Sequence, residues 1–73
     1  MTKVRISAQF LNDTELMTKV IDAGYILRNK EYLPNYDWYE FDIEGPNVPE
    51  NITLVDLEYD EKTDKFKCII AIP

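Results

Sequence analysis

Residues 3–24 read KVRISAQFLNDTELMTKVIDAG, and within this stretch the hydrophobic period changes once. Val4, Ile6, Ala8 and Phe10 alternate with Lys3, Arg5, Ser7 and Gln9, which predicts a half-buried strand from Lys3 to Phe10. Beyond it the spacing turns helical, with Leu16, Met17, Val20 and Ile21 making one apolar stripe. The helix start is written as Asn12-x-x-Glu15, a capping box with Asn12 as N-cap and Leu11 placed to staple to Leu16. Asp13 and Glu15 fall in the first turn, where the helix dipole favours negative charge. Gly24 stands where a C′ glycine ends a helix.

No second helical pattern follows. Tyr25–Arg28 reads as a short strand, and Asn29–Asn35 as a polar connection whose Pro34 has no N–H for a sheet. Tyr36–Glu44 alternates, with Tyr39, Phe41 and Ile43 inward and Trp38, Glu40, Asp42 and Glu44 outward. Gly45-Pro46-Asn47-Val48-Pro49 is loop chemistry. Thr53, Val55, Leu57 and Tyr59 then alternate with Leu54, Asp56, Glu58 and Asp60. Asp60–Lys65 is a hairpin turn in which Asp64 tolerates a left-handed backbone. The last strand, Lys65–Ile72, points Phe66, Cys68, Ile70 and Ile72 inward and sets Lys67 opposite Glu58. The expected fold is α+β: one small domain over residues 1–73, ordered β-α-β-β-β-β, a mostly antiparallel sheet with one helix packed on one face. The first strand–helix–strand unit is open to a parallel crossover. Leu16, Val20 and Ile21 should pack on Val4, Ile6, Phe41, Leu57 and Ile70.

Composition narrows the chemistry. At 73 residues the chain is one domain at most, and at 45% hydrophobic it still builds a core. The longest apolar run, Cys68–Ile72, is far short of the roughly 20 residues of a membrane helix. Lys3 and Arg5 interrupt the N-terminal apolar residues, so no secretory signal is expected, and a lone cysteine suits the cytoplasm. Without histidine, the usual catalytic triads and His-containing zinc sites are out. Cys68, on the inward face, reads as an inert core thiol. Gly24 and Gly45 are too far apart for a phosphate loop, and Asp60, Glu61 and Asp64 lack the glycine and terminal glutamate of a calcium loop. Asn51-Ile52-Thr53 fits the glycosylation sequon but should stay unmodified in the cytoplasm. Neither an enzyme nor a cofactor is expected.

The charge is lopsided. Ten of the 14 acids lie between Asp37 and Asp64 against one base there, Lys62, in a chain of net charge −6. Such a field repels nucleic acid phosphate and suits a basic protein partner; its bland reading is solubility alone. With the two outward sets on one sheet, Trp38, Glu40, Asp42, Glu44, Leu54, Asp56, Glu58 and Asp60 would form a carboxylate block around an aromatic anchor. Carboxylates about 6–7 Å apart along a strand approach the phosphate spacing of a nucleic acid. The leading expectation is therefore a non-enzymatic protein-binding module whose acidic sheet face occupies a basic surface. Its most specific form is a phage-type antagonist, a nucleic-acid mimic, of a host nucleic-acid-acting protein. The alternative is a small structural or assembly protein that self-associates through an open sheet edge.

Overall fold

The computed structural model describes residues 1–70. Along the chain run β1 (Lys3–Ser7), α1 (Ala8–Leu11), α2 (Thr14–Asp22), β2 (Ile26–Leu33), β3 (Trp38–Glu44), β4 (Leu54–Asp60) and β5 (Lys65–Ile70). The strands form one sheet in the order β2-β3-β1-β4-β5. β1 is antiparallel to β3, with Val4 opposite Phe41 and Ile6 opposite Tyr39, and parallel to β4, with Val4 opposite Val55. The outer pairs, β2 with β3 and β4 with β5, are antiparallel. The α+β class is as expected. β2 does not pair with β1, however: it runs in the same direction, and β3 lies between them.

Three local expectations are corrected. β1 stops at Ser7 because the Ser7 hydroxyl accepts the Phe10 N–H at 3.1 Å and caps a short extra helix, α1, which takes Ala8 and Phe10 out of the strand. Two helices thus cover the sheet where one was expected. Asn12 ends α1, and the N-cap of α2 is Asp13, whose carboxylate accepts the Leu16 N–H at 3.1 Å. A carboxylate there answers both the free N–H groups and the helix dipole. β2 runs on to Leu33 through the stretch expected to be a connection, because a bulge between Arg28 and Glu31 absorbs the polar residues. Asn29 takes φ +56 within it, a left-handed conformation that asparagine tolerates. Asp64 takes φ +56 in the β4–β5 turn, as its residue type suggested.

The core is Val4, Ile6, Val20, Tyr25, Phe41, Ile43, Val55 and Phe66, with Leu16 and Leu57 packed against it. Ile21 and Ile70, expected inside, are 63% and 60% exposed. α1 takes up the sheet surface that a longer helix would have used, placing Phe10 edge-on to Phe66 at 5.5 Å, so α2 reaches the core through Leu16 and Val20. Ile72 lies outside the described residues.

Two contacts fix the long β3–β4 connection. The buried Thr2 hydroxyl lies 2.6 Å from the Pro49 carbonyl and 2.8 Å from that of Ile52, and donates its one proton to either. Gly45, at φ +148, passes so close to Gly24 and Tyr25 that a Cβ there would sit 2.9 Å from the Gly24 carbonyl oxygen. Only glycine combines that backbone with that approach.

Candidate partner-binding face

The outward residues of β3 and β4 lie on the same side of the sheet, but β1 separates them. Lys3 stands opposite Asp42 and Arg5 opposite Glu40. The Lys3 ammonium donates to Asp42 Oδ1 at 2.9 Å and lies 3.8 Å from Glu40, while Arg5 Nε donates to Glu40 Oε2 at 3.0 Å. Asn29, projecting from the β2 bulge, donates to Asp42 Oδ2 at 2.6 Å. Together the Asn29 amide and the Lys3 ammonium hold the Asp42 carboxyl below the usual carboxylate range, and Asp42 in turn lifts the Lys3 ammonium above its ordinary value. The side chains of Glu40 and Asp42 are only 15% and 12% exposed. The continuous acidic block expected from the sequence is therefore divided, and its β3 half is consumed by the fold. Glu44, at the strand end, stays exposed, with Arg28 4.0 Å away.

The β4 half differs. Among the described residues, Asp56, Glu58 and Asp60 form no ion pair. Glu58 does face Lys67 in register, as expected, and Asp60 faces Lys65, yet neither pair closes. Asp56 and Glu58 are exposed, Leu54 is half-buried beside Lys3, and the Asp60 carboxylate accepts the Lys62 N–H at 3.0 Å inside the turn. Asp64 is spoken for: Tyr59 and Lys19 both donate to its Oδ1 and hold its carboxyl low, which ties α2 to the β4–β5 turn. The Cys68 thiol is half-buried, and burial pushes it above its ordinary value.

Trp38 is 38% exposed and stacks on Tyr36, with ring centroids 5.2 Å apart. It also forms one lip of a feature that nothing in the sequence announced. Registered pairing of β1 with β4 ends at Val4–Val55, and beyond it the strands part. The slot they leave has a volume of about 390 Å³. Ile6, Phe10 and Leu57 line it from the helix-covered side, and Arg5, Trp38 and Asp56 from the outer side. The alternation in Lys3–Ser7 and Leu54–Asp60 is unbroken, so periodicity gives no sign that the two strands separate. No family model, curated protein or solved structure matches this chain. Among the described residues no helix is long and apolar enough to cross a membrane.

Proposed function

We propose that this protein is a non-enzymatic, cytoplasmic protein-binding module that engages a basic surface of its partner through β4 and the Trp38 lip. The observation that carries this reading is the asymmetry of ion pairing. Glu40 and Asp42 are neutralised by Arg5 and Lys3, whereas Asp56 and Glu58 stand exposed without an ion pair among the described residues. Carboxylates left without a cationic partner steer a cationic surface and set its orientation, and an exposed Trp beside them supplies the anchor that such interfaces favour. A nucleic-acid-acting protein, inhibited by a phage-type antagonist, is one partner class with a suitable basic surface. Lys3 and Arg5 interrupt the carboxylate array, so support for full phosphate mimicry is weaker than for simple charge complementarity.

The test is capture of partners from host lysate by the wild-type protein and by a variant carrying Asp56→Asn, Glu58→Gln and Asp60→Asn. The triple variant should keep its fold, because among the described residues none of the three carboxylates holds an ion pair and an amide oxygen at position 60 still accepts the Lys62 N–H. It should lose the captured partner mainly through slower association. Binding to wild type should weaken steeply with added salt. Retention of the same partner by the triple variant at wild-type affinity overturns the proposal.

The second reading, self-association through a sheet edge, is favoured by Ile26 on edge strand β2 and Ile70 on edge strand β5, 47% and 60% exposed. Sedimentation at low and high salt separates the two, since apolar self-association tightens or holds level as salt rises.

A further inference from the structure

The slot between β1 and β4 is also where main-chain hydrogen bonding lapses. The Lys3 N–H donates to the Thr53 carbonyl at 2.9 Å, which fixes the direction of the peptide groups in both strands. By alternation, residues 5 and 7 of β1 and residues 57 and 59 of β4 turn main-chain groups toward the same gap, while those of Val55 serve the Val4–Val55 pair. Registered pairing nevertheless ends at Val4–Val55. The Leu57 N–H, which should reach β1, is met instead by the carboxylate of its own neighbour Asp56 at 2.8 Å.

We propose that this stretch of β4 receives an extended basic segment of a partner protein, which adds along Leu57–Tyr59 and seats a large apolar side chain in the slot. The inference rests on the binding reading above and specifies its occupant. Three observations converge on it. Main-chain groups without a strand partner are a template for another strand, which here takes the place of the Asp56 carboxylate at the Leu57 N–H. A cleft of about 390 Å³ floored by Ile6, Phe10 and Leu57 accepts an apolar side chain. Strand side chains alternate, so a segment with apolar residues turned into the slot presents its intervening residues beside Asp56 and Glu58, where Lys or Arg is complementary. The Arg5 charge on the rim of the slot is offset by Glu40, whose Oε2 accepts the Arg5 Nε–H at 3.0 Å.

The experiment is a titration of ¹⁵N-labelled protein with the acetylated, amidated peptide Ser-Lys-Leu-Lys-Leu-Lys-Ser. Controls are the same peptide with Glu for Lys, with Ser for Leu, and with alternate backbone nitrogens methylated. The expected result is saturable shifts confined to Arg5–Ser7, Leu54–Tyr59 and the Trp38 indole, with slowed exchange of the Leu57 amide. Each control peptide, and each of the folded variants Asp56→Asn and Trp38→Ala, should bind about tenfold weaker or worse. Equal binding by the methylated peptide overturns strand addition, and equal binding by the Glu peptide overturns charge recognition. Shifts centred elsewhere, or none, overturn the slot as the site. If the peptides fail while the Asp56, Glu58 and Asp60 variant still loses the lysate partner, only the extended segment is refuted. If that variant keeps its partner, the binding reading itself falls.

Discussion

Replacing Gly45 by Ala should damage this fold more than replacing Gly24, although both glycines have positive φ and lie beside each other. At Gly45 φ is +148, and an added Cβ would stand 2.7 Å from Tyr25 Cδ1, 2.9 Å from the Gly24 carbonyl oxygen and 3.1 Å from Tyr25 Cα. Two of those neighbours are backbone, and the third belongs to a tyrosine only 4% exposed, so nothing nearby swings aside. Backbone strain in that region costs about 1–3 kcal/mol and overpacking about 1–3 more. The lower entropy of the unfolded Ala chain offsets roughly 0.4–1 kcal/mol. The net loss is about 2–5 kcal/mol, a large fraction of the roughly 4–11 kcal/mol available to a chain of this size. At Gly24 φ is +97 and the new Cβ would meet Pro46 at 3.5 Å, an ordinary contact. Only strain of about 1–2 kcal/mol applies there, for a net cost near 1 kcal/mol. Urea denaturation of both variants, followed by far-UV circular dichroism, measures the difference. Equal midpoints for the two, or a Gly45→Ala variant as stable as wild type, would refute the close approach of the β3–β4 loop to the end of α2.

Other expectations concern the helices and the charge network. Val20→Ala should cost about 2–3 kcal/mol, from two lost methyl groups and the cavity they leave, whereas Ile21→Ala should cost under about 0.5 kcal/mol; denaturant titration distinguishes them. Asp13→Ala should lose about 1 kcal/mol through the missing cap, and Asn12→Ala much less, so equal losses would restore Asn12 as the cap. The Asp42 carboxyl is held low in the folded protein, so its contribution is complete above the unfolded value of about 3.9 and is lost as pH falls through the lower folded value. Melting temperature should therefore fall less steeply with acidification in Asp42→Asn than in wild type, and parallel curves would sink that assignment.

The period of two in Lys3–Ser7, Trp38–Glu44 and Leu54–Asp60 was enough to place these strands and their inward faces, because alternation records burial directly. α1 was hidden because Ala8 and Phe10 continue the alternation by residue type, while the Ser7 cap that breaks it needs only one hydroxyl. The β2 bulge was hidden for a related reason: a polar stretch around Pro34 resembles a loop until a left-handed Asn29 lets it stay in the sheet. Strand order is a property of pairing, not of period. The outward direction of each acid near Trp38 was legible residue by residue, but the continuous block was not, since Lys3 and Arg5 belong to the strand that comes between. Their placement on the outward face of β1 was the available signal, and it bore on function only once β1 was known to be central. The slot left no trace in either strand.

The central position of β1 also orders the route to the folded state. The β2–β3 and β4–β5 hairpins pair over short turns and are closed locally, whereas β1 must find partners far down the chain, Lys3 meeting Asp42 39 residues on. Local hairpins form within microseconds, and long-range pairings wait on the entropy of closing larger loops. Until β1 docks, β3 and β4 each present a bare inner edge. Topology thus predicts that the slow step is the capture of one five-residue strand by two locally formed hairpins, and that a lesion weakening Lys3–Ser7 lengthens the exposure of two bare sheet edges.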